Sequence, residues 1–126
     1  MFIEQGYGNI INITSIQGVL APKFDHYEGT QMTSPIEYTA AKSAIISMSR
    51  YMAKYLSGKN IRVNCISLGG ILDKQPKSFL KKYQASCTSK GMLDAEDLVG
   101  TLLLLISDQS KYINGQNIIV DDGWSL

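Results

Sequence analysis

An α/β fold with a short parallel sheet is predicted by three features of this chain. Runs rich in β-branched residues at 8–14, 61–67 and 116–120 read as buried strands. Helical patterns lie between them, over residues 35–56 and again over 94–107. Glycines punctuate the exchanges, at Gly58, at Gly69-Gly70, and at Gly115 and Gly123. Strands that alternate with helices build βαβ units with right-handed crossovers.

The first strand, Gly8-Asn9-Ile10-Ile11-Asn12-Ile13-Thr14, ends next to Ser15. Residues 18–36 carry Gly18, Pro22, Asp25, Gly29, Ser34 and Pro35 without sustained periodicity, so a long loop is expected. Long loops in compact domains are more often functional than ornamental. Pro35 and Glu37 suit a first helical turn, and alanines, methionines and isoleucines then recur until Gly58 stops the helix. The second strand spans Ile61 to Ser67 and ends at Gly69-Gly70. A short basic helix is expected from Pro76 to about Cys87. Asp94-Ala95-Glu96-Asp97 reads as an acidic helix start leading into the apolar run Leu98–Ser107. Asn114-Gly115 is a turn before the third strand, which Asp121-Asp122-Gly123 ends. A doubly wound sheet has strands on both sides of its switch point, and this chain supplies about half of one.

At 126 residues, with 44% hydrophobic and 18% charged, the composition is that of one globular domain, residues 1–126. Net charge is +1 with the signs mixed, which argues against a nucleic-acid partner. The longest apolar run, Leu102–Ile106, is far too short to span a bilayer, and no signal peptide is evident at the N-terminus. Cys65 and Cys87 show no paired spacing, which fits a reducing, cytoplasmic setting. Two cysteines and one histidine argue against a structural zinc site.

The segment Tyr38-Thr39-Ala40-Ala41-Lys42 carries the chemistry. A tyrosine and a lysine four apart on a helix share a face. An ammonium beside a phenol favours the phenolate, and a phenol at its ordinary value of about 10 is a poor base. A serine hydroxyl such as Ser15, brought close, can hold a carbonyl or alcohol oxygen. These residue types suit proton transfer to or from a substrate oxygen. The plain alternative is a surface tyrosine stacked on a lysine stem.

Ser15, Tyr38 and Lys42, then Asn64-Cys65-Ile66-Ser67-Leu68-Gly69-Gly70-Ile71, then Ile119-Val120-Asp121-Asp122-Gly123, occur in the order found in short-chain dehydrogenase/reductases. The chain resembles the C-terminal half of such an enzyme over nearly all its length. Gly-Gly-Ile-Leu-Asp and the ending Asn-Ile-Ile-Val-Asp-Asp-Gly-Trp-Ser-Leu look most like the flagellin modification protein A type of reductase. The resemblance implies the C-terminal part of a Rossmann-like doubly wound parallel sheet, about three strands with flanking helices. It implies NAD or NADP as cofactor and a small carbonyl or alcohol as substrate, with a homo-oligomer as a further expectation. Ser15 matches the serine that holds the substrate oxygen, and Tyr38 the acid/base. Lys42 matches the lysine that favours the tyrosine's phenolate and binds the nicotinamide ribose, which Tyr38 also adjoins. Gly69, Gly70 and Ile71 match the loop along the nicotinamide and diphosphate.

Leu68 stands where the family usually has proline, which implies a looser loop, and Asp73 where it often has threonine, beside the diphosphate. The family's glycine-rich fingerprint, from its first strand-to-helix turn, does not occur in these residues. The nucleotide-binding half is therefore missing from the sequence, as in a truncated reading frame, an internal start or a recorded fragment. The expected function is a carbonyl or secondary-alcohol oxidoreductase, inactive as these 126 residues alone. Its substrate class would be a sugar or nucleotide-sugar precursor. The alternative is a non-enzymatic remnant that associates through exposed apolar surface. A complete flavodoxin-like module is disfavoured because no phosphate loop follows Ser15 or Gly69.

Other residues have bland readings that are preferred here. Asn64 braces a strand end, and His26 is an exposed loop histidine rather than a substrate contact. Met48 and Met52 belong to core or interface. Lys74, Lys77, Lys81 and Lys82 form a solvated face. Trp124 is either a core anchor or a subunit contact.

Overall fold

The computed structural model describes residues 1–126. Three strands form one parallel sheet in the order β1-β2-β3, with β1 Gly8–Ser15, β2 Ile61–Leu68 and β3 Asn117–Val120. The helices are α1 Phe2–Gln5, α2 Ile36–Tyr55, α3 Lys77–Ala85 and α4 Val99–Ile106. The α/β class and the strand positions expected from the sequence are thus observed. The four-residue α1 was not expected. It carries no apolar periodicity to reveal it, and Gly6 at φ 78° closes it. No helix is long and apolar enough to cross a membrane.

Register places Asn12 opposite Cys65 and Thr14 opposite Ser67. Alternation then directs these side chains to one face of the sheet, where α2 lies. Asn12 Nδ2 donates to Ser49 Oγ at 2.7 Å, and Thr14 Oγ1 donates to the Lys42 carbonyl at 2.9 Å. Asn9 and Arg62, also paired, face the opposite side. Asn9 Nδ2 donates to the Leu105 carbonyl of α4, and Arg62 binds Ser107 and Ser110. Helices therefore cover both faces. Asn64 is fully buried and ties β2 to the segment before β3: Nδ2 donates to the Ile113 carbonyl and Oδ1 accepts from Gln116 N. This is the bracing role read from the sequence, and it satisfies a buried amide that would otherwise be costly.

The sheet is central to the core through Val63, Cys65 and Ile66, while a second cluster of Ile16, Phe79, Tyr83 and Trp124 packs beyond the carboxyl ends of the strands. Both β1 and β3 are edge strands. Met48 is exposed and lies outside the core, because α2 presents that face to solvent.

Candidate active site

The carboxyl ends of parallel strands are where α/β sheets place their ligands. β1 delivers Ser15 there, and β2 delivers Leu68 and the Gly69-Gly70 turn. A cleft of about 470 Å³ opens at this end. Ser15, Tyr38, Lys42, Leu68, Gly69, Gly70 and Ile71 all line it. Residues far apart in sequence are brought together by the βαβ crossover.

The turn after Ser15 sets the approach of α2. Ser15 Oγ accepts from Gln17 N at 3.2 Å and caps a short 3₁₀ turn, Ile16–Gly18. A Cβ on Gly18 would lie 2.8 Å from the Lys42 carbonyl carbon and oxygen, so only glycine lets the turn press on this helix. Ser43 Oγ donates to the Gly18 carbonyl at 2.9 Å, which pins the same junction. Ser15 is nearly buried, whereas Tyr38 is 43% exposed. The Lys42 ammonium lies 5.5 Å from the centre of the Tyr38 ring.

The Leu68–Ile71 loop is held tightly even though leucine replaces proline. Gly70 N donates to the Tyr83 hydroxyl at 2.6 Å. Leu93 N donates to the Gly70 carbonyl, and Leu72 N to the Leu93 carbonyl, both at 2.8 Å. A Cβ on Gly69 would lie 2.8 Å from Asp121 Cα. Tertiary contacts thus anchor this loop, whose sequence lacks the local restraint of a proline. Burial pushes the Tyr83 phenol up to about 12, so it stays neutral as the acceptor for Gly70. Asp73 is exposed, is not a lining residue, and its backbone N–H bonds Gln75.

The cleft's far wall comes from the loop before α2 and from the C-terminus, through residues that sequence reasoning did not assign. Gln17 Nε2 donates to the Tyr27 hydroxyl at 3.3 Å, and Ser34 Oγ donates to Gln17 Oε1 at 2.5 Å. Gln17 thus links the end of β1, the loop and the approach to α2. Its position two residues after Ser15 was the available signal. His26, expected to be exposed, is 3% exposed and packs edge-on against Phe79, Tyr83 and Trp124. The reversal has a tertiary cause: a local pattern cannot show an aromatic socket assembled from α3 and the C-terminus. Trp124 is a core anchor, stacked on Tyr83 at 5.8 Å with Lys23 Nζ 4.4 Å from its ring centre. Lys82 also departs from the solvated face, donating to the Asp25 carbonyl.

Outside the cleft, the Asp122 carboxylate ties the turn after β3 to residues 88–91. It accepts from the backbone N–H groups of Ser89, Lys90 and Gly91 and from the hydroxyls of Thr88 and Ser89. These donors, led by Gly91 N–H, hold its carboxyl far below the usual carboxylate range.

A parallel sheet with a hydroxyl, a phenol and an ammonium at its carboxyl end defines a Rossmann-like α/β protein. The sequence model described as enoyl-(acyl carrier protein) reductase, of the short-chain dehydrogenase/reductase type, matches residues 1–125. The chain belongs to the short-chain dehydrogenase/reductase family. It is 55% identical over 125 residues to the post-translational flagellin modification protein A of Campylobacter coli, covering 99% of this chain and 49% of that protein. It is 32% identical to the 7alpha-hydroxysteroid dehydrogenase of Bacteroides fragilis, covering 97% of this chain and 45% of that protein. A crystal structure of a short chain dehydrogenase from Leptospira borgpetersenii with bound NAD+ superposes with TM-score 0.92 at 36% identity, over 99% of this chain and 48% of that one. The chain spans about half the length of the relatives it matches.

Proposed function

We propose that this chain carries the acid/base half of an NAD(P)-dependent oxidoreductase acting on a carbonyl or secondary alcohol. The observation that supports this reading is the convergence of Ser15, Tyr38 and Lys42 with Gly69, Gly70 and Ile71 on one cleft. The Tyr38 phenol gives its proton to the substrate oxygen in reduction, and its phenolate takes the alcohol's proton in oxidation. Ser15 Oγ already accepts from Gln17 N, which leaves its own proton to donate to that oxygen. Lys42 places positive charge beside the position where the phenolate develops, and its N–H groups suit a ribose hydroxyl. This donor set fits the nicotinamide half of NAD or NADP, with the Gly69–Ile71 loop alongside. When bound, the cofactor supplies or accepts the hydride.

The substrate class we propose is a sugar or nucleotide-sugar precursor of a surface glycan or modified flagellin, supported by the name of the Campylobacter relative. The setting we propose is cytoplasmic, which is compatible with two free cysteines. The glycine-rich fingerprint that cradles a pyrophosphate does not occur in these residues. The 126 residues alone are therefore expected to turn over carbonyl substrates at background rates with NADH or NADPH. Tyr38-dependent turnover by the purified chain overturns that expectation. Joined to the half of the Campylobacter relative that it does not match, the chain is expected to show reductase activity. There Tyr38→Phe is expected to lower kcat/KM by about 10²–10⁴. Equal rates for the two chimeras would remove Tyr38 from the mechanism.

A second reading, association through apolar surface without catalysis, draws support from α4. Val99, Leu102, Leu103, Leu104 and Ile106 are all exposed, and Leu105 alone of its apolar residues is buried. Such faces favour partners or a second copy.

A further inference from the structure

We propose that His26 is a proton-controlled pin: its neutral ring seats the cleft wall formed by residues 19–34, and protonation releases that wall. The inference is independent of hydride transfer and concerns the shape of the cleft.

The wall has little structure of its own beyond the 3₁₀ turn Phe24–Tyr27. It nevertheless supplies His26, Tyr27, Met32, Thr33 and Ser34 to the cleft. Several contacts attach it: Lys23 Nζ donates to the Trp124 carbonyl, Tyr27 packs on Phe79, Ser34 bonds Gln17 and Lys82 bonds the Asp25 carbonyl. Among these His26 is the buried ring whose charge can change near neutral pH. The ring sits about 6 Å from each of Phe79, Tyr83 and Trp124, centre to centre. Its hydrogen bond joins Nε2 to Ser86 Oγ at 3.1 Å. A neutral imidazole is suited to an aromatic socket with one hydroxyl partner. A protonated ring carries two N–H donors and a charge; Ser86 Oγ can accept from one donor, and burying the charge among apolar rings is costly.

The charges around the ring do not offset this. Asp25, on the same turn, favours protonation, while Lys23 on that turn and Lys82 from α3 oppose it. Glu28 is engaged with Lys82 at 3.5 Å. Tyr83 and Cys87 stay neutral, since burial pushes them up to about 12 and about 11. From the C-terminal segment, the Asp121 carboxylate accepts from Gly123 N and Ser125 N, and Asp122 is held by residues 88–91. Burial of the ring prevails and lowers His26 below its ordinary 6.5.

The sign follows from linkage. In the open state the ring has its ordinary value, and in the seated state a lower one. Seating is therefore at full strength above about pH 6.5 and weakens as pH falls toward the lowered value. Within that window the open population rises by up to about tenfold per pH unit, and below it the population levels off.

The chain has one histidine and one tryptophan, so both signals are unambiguous. The test follows amide hydrogen exchange of residues 19–34, corrected for intrinsic rates, together with Trp124 fluorescence, from about pH 7.5 to about 5.5. The expected result is loss of protection in the wall and a fluorescence change with a midpoint below 6.5, while the β2 amides stay protected. His26→Phe fills the socket without a titrating group and should abolish both changes. Protection of the wall that is independent of pH in the wild type overturns the proposal, as does an unchanged pH response in His26→Phe. Should that variant not fold, the wild-type ring decides by NMR. A His26 resonance titrating below 6.5 in step with wall exchange supports the pin, and titration at or above 6.5 overturns it.

Discussion

Gly18 shows how much of the site depends on a missing side chain. Its backbone lies against the turn of α2 that carries Lys42, where an added Cβ would meet main-chain atoms at 2.8 Å. Main chain cannot swing aside as a flexible side chain can. Gly18→Ala is expected to destabilise the fold by about 1–3 kcal/mol, as overpacking does. The check is the shift in the urea unfolding midpoint at unchanged slope. The same substitution is expected to displace α2 from the turn that Ser15 caps, so site and stability should fail together. The serine, tyrosine and lysine were readable as residue types from their order in the chain. Gln17 and Gly18 were not, because their roles are contacts across the crossover. His26 was misread for the same reason: its socket comes from residues 79, 83 and 124.

Helices and loops show the same division. The strands announced themselves through β-branched runs, and α2 through Pro35 and Gly58. The apolar stretch after Asp94 was correctly read as helical, and its acidic start is observed: Asp97 accepts from Asp94 N, and Lys90 pairs with Asp94 and Asp97. The anchoring of the Leu68–Ile71 loop was not legible, because it comes from α3 rather than from local sequence. Tyr83 is the element that imposes it. Tyr83→Phe keeps the ring stack but leaves the Gly70 N–H without its partner, at a cost of about 1–3 kcal/mol. Exchange of the Gly70 amide should accelerate by about tenfold or more, while the β2 amides keep their protection. Unchanged exchange at Gly70 would show that the phenol is a bystander.

Across the whole molecule, apolar surface exceeds what the small core can bury. α2 exposes Met48, Tyr51 and Tyr55 at helical spacing, α4 exposes nearly all its leucines, and Ile13 and Ile119 are exposed on edge strands. Open edges and apolar faces together favour association. Sedimentation should show oligomers growing with concentration, and a stable monomer at all concentrations contradicts this. The sequence by itself determined the class of fold, the order of its strands and of the helices after α1, and the family, because periodicity and ordered motifs are local properties of the chain. Tertiary structure alone decided that Ser15, Tyr38, Lys42 and the Gly69–Ile71 loop share a cleft, that Tyr83 bonds that loop, and that His26 is buried. Each of these depends on side chains that meet only after the parallel crossover has closed, and no local pattern records which distant surfaces will touch.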